Sequence, residues 1–164
     1  MPTIHVVRGD ICTIDVDAVV TAANRSLVGG SGVNGAVHAA AGPELVKAAR
    51  AFAPCEPGCA VVTPAFEMPY ANWVIHAVGP QYTSKEDEPL LASAYTAALA
   101  LADEVEAHSV AFPAISTGVY GYPAADAARI SVSAVKSAPT LVETVLLVAF
   151  DEQTAQLWEQ ELQT

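Results

Sequence analysis

Several short runs of apolar residues in this chain show no polar alternation: Asp17–Ala22 (DAVVTA), Trp73–Val78 (WVIHAV) and Val142–Phe150 (VETVLLVAF). A strand with one wet face alternates apolar and polar residues, whereas a strand covered on both faces reads as a continuous apolar run. Between these runs lie segments of helical periodicity. Over Glu88–Glu106 the residues Leu91, Tyr95, Ala98, Leu99, Ala102 and Val105 fall on one helical stripe. Strands that are apolar throughout, alternating with helices, predict an α/β fold: a three-layer α/β/α sandwich around a mixed, largely parallel sheet. Further strands are expected at Ile4–Arg8, Cys59–Thr63 and Val110–Pro113. Further helices are expected from about Asn34 to Ala41, over Glu44–Phe52 behind Pro43, over Ala124–Ser137 and from Asp151 onward.

With no repeat and no low-complexity linker, the 164 residues are expected to form one domain, 1–164. Hydrophobic residues make up 52% and charged residues 15%, the reverse of a disordered composition. The formal charge is −11, from 7 basic and 18 acidic residues, and the few cations are scattered. Sequence-independent nucleic-acid binding rests on clustered Lys and Arg, so direct nucleic-acid binding is not expected. No apolar run approaches the roughly 20 residues of a membrane span, and no signal-peptide pattern is present. A cytoplasmic protein that does not engage membranes is the expectation. Cys12, Cys55 and Cys59 match neither a disulfide framework nor a paired zinc pattern, and are read as reduced structural thiols.

In open sheets of this kind ligands gather beyond the carboxyl ends of the strands. Two loops lie there, each between a strand and a helix. The first runs from Asn24 to Val33 and carries Gly29, Gly30, Ser31 and Gly32. The second is Ser116-Thr117-Gly118-Val119-Tyr120-Gly121. Main-chain amides in such loops, and at the helix start behind them, can hold an anion without a cationic side chain. Neither loop fits the P-loop or the dinucleotide fingerprint. Two amide-rich loops on one sheet suggest a clamp around a pyrophosphate.

The segments Gly9-Asp10-Ile11, Thr21–Asn24, Gly29–Val33, Ala36–His38, His76–Pro80 and Phe112–Gly121 occur in an order and spacing that resemble a macrodomain, most closely the MacroD-type branch of ADP-ribosyl hydrolases. The resemblance runs from about Val7 to the C-terminal helix. It implies that Asp10 accepts a hydrogen bond from the adenine amino group, with Ile11 beside it, and that Phe150 stacks on adenine. From its position alone Phe150 would be read as core, and Asp10 as a turn or capping residue. By the same resemblance Asn24 bonds the distal ribose hydroxyls. Gly30, Ser31, Gly32 and Val33 flank that ribose and its phosphate. Ser116, Thr117, Gly118, Val119 and Tyr120 form the second phosphate loop.

One departure stands out. Where MacroD-type enzymes usually carry an aspartate credited with activating water, this chain has Asn34, which is no general base at neutral pH. The altered triplet Gly30-Ser31-Gly32 is a second difference. The candidate catalytic residues are then Asn24 and Asn34, orienting a water against a ligand phosphate that supplies the basicity. His38, one turn after Asn34, is a possible auxiliary base, but a packing role is the stronger reading. The implied activity is a hydrolase that removes mono-ADP-ribose from Glu and Asp esters and deacylates O-acetyl-ADP-ribose. It would act without metal or organic cofactor, as a monomer, on ADP-ribose and ADP-ribosylated proteins. On this reading Asn34→Asp keeps or raises the rate. The alternative is a module that reads ADP-ribose without cleaving anything.

Overall fold

A computed structural model describes residues 2–164. In chain order the elements are β1 (Thr3–Arg8), β2 (Ala18–Ala23), α1 (Gly32–Ala41), α2 (Glu44–Arg50), β3 (Ala60–Pro64), β4 (Trp73–Val78), α3 (Glu88–Glu104), β5 (Ser109–Phe112), α4 (Ala124–Ser137), β6 (Thr144–Ala149) and α5 (Glu152–Leu162). The strands form one six-stranded sheet in the order β1-β6-β5-β2-β4-β3. All neighbours are parallel except the edge pair β3 and β4, which is antiparallel. The expected mixed, largely parallel sheet is what forms.

The register explains the continuous apolar runs. Val20, Ile75, Ala77, Val110, Phe112, Val145 and Leu147 face α3, α4 and α5 and make the larger core. Val19, Val74, Ala111 and Val148, one residue out of step, face α1 and the smaller core with Ile11, Val37, Ala41 and Leu45. Successive side chains of a strand point to opposite faces, so a strand covered on both sides needs apolar residues at every position. The alanines of α3 (Ala94, Ala98, Ala102), all fully buried, let the helix sit close on the sheet.

Several boundaries move from the sequence expectation. Helix α1 begins at Gly32, so Asn34 lies inside its first turn rather than at its mouth. Helix α2 stops at Arg50, before the exposed Phe52. Strand β6 ends at Ala149, and Phe150 emerges 86% exposed, overturning its reading as core. Cys55 is buried, Cys12 partly so, and Cys59 is exposed; all are free thiols. No helix among the described residues is long and apolar enough to cross a membrane.

Candidate functional site

At the carboxyl edge of the parallel strands, the sheet order fixes what stands beside what. Asp10 follows β1, Phe150 follows β6, the second loop follows β5, the first loop follows β2, and Gly79-Pro80 follows β4. Parallel neighbours lie about 4.8 Å apart, so β1 to β2 spans roughly 14 Å across three spacings. The candidate residues thus form a row along one edge, as the loop positions predicted.

At one end, the Gly9 amide donates to the Ala149 carbonyl at 3.1 Å, which ties the exits of β1 and β6 together. Asp10 caps the short 3-10 turn Ile11–Thr13. One carboxylate oxygen accepts from the Cys12 amide at 2.9 Å. Asp10 is therefore a turn-capping residue whose carboxylate also lies within reach of the Cys12 thiol. Burial, with the Asp10 carboxylate adjacent, pushes the Cys12 thiol up to about 11, so it stays protonated. The Ile11 side chain is buried in the core beneath α1 rather than displayed. Phe150 stands clear, and Asp151 behind it caps α5 through the Thr154 amide at 2.8 Å.

The second loop is braced from three sides. Tyr95, buried on α3, donates its hydroxyl to the Pro113 carbonyl at 3.2 Å and accepts from the Ile115 amide at 3.1 Å. Ser116 has φ +69°, a left-handed conformation that costs a non-glycine residue on the order of 1–3 kcal/mol. Its hydroxyl donates to the Pro80 carbonyl at 2.8 Å, and its carbonyl accepts from the Tyr122 amide at 2.9 Å. Gly79 permits this approach: a Cβ there would run into the Ser116 hydroxyl and Ile115. Val119, at the tip, is 92% exposed. The Tyr120 carbonyl accepts from the Tyr82 amide at 2.9 Å, which fixes the far side.

The first loop is pinned at both ends. Leu27, with φ +57°, is buried among Ala23, Ala49, Cys55 and Val78. The Asn24 side-chain oxygen accepts from Ser26 Oγ at 3.1 Å and from the Val28 amide at 3.3 Å. Gly29, Gly30, Ser31 and Gly32 are exposed, and Val33 is half-buried. Ser31 caps α1 with no side-chain hydrogen bond, so among the described residues no side chain of the cap claims the amides of its first turn. These amides and the helix dipole attract an anion.

Asn34 and His38 share the inner face of α1. Asn34 is 6% exposed and bonded to Thr21 and to Val28. The His38 ring lies 6.1 Å from that of the fully buried His76, edge to face. Thr63 Oγ1 donates to the Pro64 carbonyl at 3.0 Å, so His76 Nε2, also at 3.0 Å, is the donor to that hydroxyl. Burial, helped by His38, pulls His76 down to about 4, and burial lowers His38 as well. Burial disfavours the charged form of both, and the His38 ring lies against His76. Thr21 and Gly79 lie within the motif segments, but the braces they make are not deducible from the motifs, and Tyr95 lies outside them. Only the phase of Tyr95 on its helical stripe hinted that it was buried.

The chain is a three-layer α/β/α domain whose largely parallel sheet carries two amide-rich loops, an uncapped helix start and an exposed aromatic along one strand edge. The Macro domain family matches residues 20–131, well over half the chain, and the protein belongs to that family. The Macro domain-containing protein in sno 5'region of Streptomyces nogalater is 47% identical, across 99% of this chain and 93% of its own. The O-acetyl-ADP-ribose deacetylase of Citrobacter rodentium is 48% identical, across 95% of this chain and 93% of its own. Among solved structures, a mutant Oceanobacillus iheyensis macrodomain with ADPR superposes with a TM-score of 0.93. It is 38% identical, across 99% of this chain and 92% of that one.

Proposed function

We propose that this chain binds ADP-ribose along the strand edge and hydrolyses its esters. The substrates are O-acetyl-ADP-ribose and mono-ADP-ribose attached to Glu and Asp side chains of proteins. The observation that carries this reading is the row itself: Phe150 and Asp10 at one end, two amide loops in the middle, and Asn24 at the other. The span of roughly 14 Å suits an extended nucleotide with a second sugar. Adenine would stack on Phe150 and donate its amino group to the Asp10 carboxylate. The pyrophosphate would lie between residues 116–120 and the amides of Gly30, Ser31, Gly32 and Val33. Asn24, able to donate and accept, would orient the distal ribose diol. The similarity to the Citrobacter deacetylase over nearly the whole chain supports the same chemistry.

In the hydrolysis, a water adds and the ester C–O bond breaks. The sugar keeps a hydroxyl, the carboxylate leaves, and the proton passes through a phosphate oxygen to solvent. An ester at an anomeric carbon is labile, so holding the water in line supplies much of the acceleration needed. Among the described residues no carboxylate stands on the inner face of α1 with Asn34 and His38. That observation also favours a second reading, a module that binds ADP-ribose without turnover. Incubating the protein with a Glu-modified substrate and measuring freed ADP-ribose separates the two. Release above buffer supports the hydrolase. Tight binding without release selects the reader. For the hydrolase, Asn24→Ala is expected to lower kcat/KM about a hundredfold, because sugar and water lose their orienting group.

A further inference from the structure

Asn34 stands at the position where the resemblance implies a general base, yet its carboxamide is occupied by the protein itself. Oδ1 accepts from Thr21 Oγ1 of β2 at 3.1 Å, and Nδ2 donates to the Val28 carbonyl in the first loop at 3.3 Å. The Val28 amide is meanwhile held by Asn24. The main chain of Val28 is thus gripped by two asparagines, one at each end of the loop. Close by, the Gly30 carbonyl rests where a Cβ on Gly35 would be, so the loop presses on the first turn of α1. Only a group that accepts from Thr21 and donates to Val28 satisfies this geometry. A carboxylate accepts but has no hydrogen to give.

We propose that Asn34 is a positioning residue, a latch between sheet, helix start and first loop that sets Asn24 and the loop amides for ligand, and not the group that activates water. This deepens the ADP-ribose hydrolase reading and rests on it for the reaction, while the latch itself is a property of the free protein. It reverses the expectation for Asn34→Asp. At neutral pH the introduced carboxylate would face the Val28 carbonyl and release the loop. Buried beside that carbonyl, the carboxyl favours its protonated form, which can donate to Val28 and restore the latch.

The test compares Asn34→Asp with wild type from about pH 5 to 8, a range that brackets a raised carboxyl. Calorimetry reads ADP-ribose affinity, and freed ADP-ribose reads kcat/KM. A carboxylate at position 34 would favour the charged form of His38 one turn on, so the comparison is repeated in a His38→Gln background, where the ratio reads the carboxyl without that coupling. The ratio for affinity should be down about tenfold at the high end and return toward one as pH falls. A water-activating carboxylate gives the opposite, a rate ratio that climbs with pH. Thr21→Val, which keeps the shape and removes the donor, should weaken affinity in the same direction with no such pH dependence. In both variants the amides of residues 28–33 should exchange hydrogen faster than in wild type. Wild-type-like affinity and exchange in Asn34→Asp at high pH, or a rising rate ratio, would overturn the latch. Failure of wild type to release ADP-ribose would sink the hydrolase reading, while affinity still tests the latch. Should wild type not bind ADP-ribose at all, the exchange measurement decides alone.

Discussion

Phe150 illustrates how little a side chain's type says about its duty. It is the ninth residue of the apolar run Val142–Phe150, yet the last strand stops one position earlier and leaves the ring almost wholly in water. An exposed aromatic contributes little to folding, so Phe150→Ala should leave the urea midpoint within the noise. ADP-ribose affinity should fall about tenfold, the usual value of one stacked base. Calorimetry beside a urea titration checks both. Equal losses in the two would show that the ring packs on protein in solution. Only the resemblance assigns Phe150 to the strand-edge row, since periodicity alone buries it. Asp10 and Asn24 were readable in the same limited way. Their residue types fit turns as well as ligands, and in the free protein both do cap turns. The Asn34 hydrogen bonds were not readable at all, because they depend on where Thr21 and Val28 each meet Asn34, across thirteen and six residues of chain.

Helices and strands behind the loops are easier to foresee than the braces that join them. The stripe on α3 and the unbroken apolar strands gave the sandwich, since period and burial are local signals. Tyr95 sits on that stripe as if it were simply core, but its hydroxyl holds both sides of the turn into the second loop. Tyr95→Phe preserves the packing and leaves a buried amide and a carbonyl without that partner. The expected effect is a loss of about 1–3 kcal/mol in unfolding free energy, together with faster hydrogen exchange at residues 115–121. Unchanged stability would mean that water replaces the hydroxyl. The layer between α1 and β4 makes a second expectation of this kind. His76 is lowered from its ordinary value near 6.5 to about 4 in the folded protein. The unfolded chain therefore takes up the proton first. Stability from this group is complete above about pH 6.5 and is lost as pH falls toward 4, by up to ~3 kcal/mol. Urea titrations at neutral and acid pH should show that slope, and His76→Leu should flatten it. A slope left unchanged by the substitution would assign the acid loss to other groups.

The molecule as a whole presents a net charge of −11 to a ligand that is itself a double anion. Long-range electrostatics therefore oppose the proposed binding, and local main-chain amides must supply the attraction. The cations nearest in sequence to the site are already engaged: Arg8 with Glu152 at 2.6 Å, and Arg25 with Glu56 at 2.6 Å. Amide dipoles act over a turn of helix, whereas the repulsion acts over the Debye length, about 10 Å at 0.1 M salt. Adding salt should screen the repulsion and barely touch the short contacts. Affinity for ADP-ribose is then expected to hold or rise modestly between about 0.05 and 0.3 M sodium chloride. A site built on lysine and arginine behaves in the opposite way, because binding releases counterions and affinity falls steeply with salt. Isothermal titration across that range decides the matter. A fall of several-fold would show that cationic side chains carry the phosphates, and the amide clamp would have to be abandoned even if the ligand still bound.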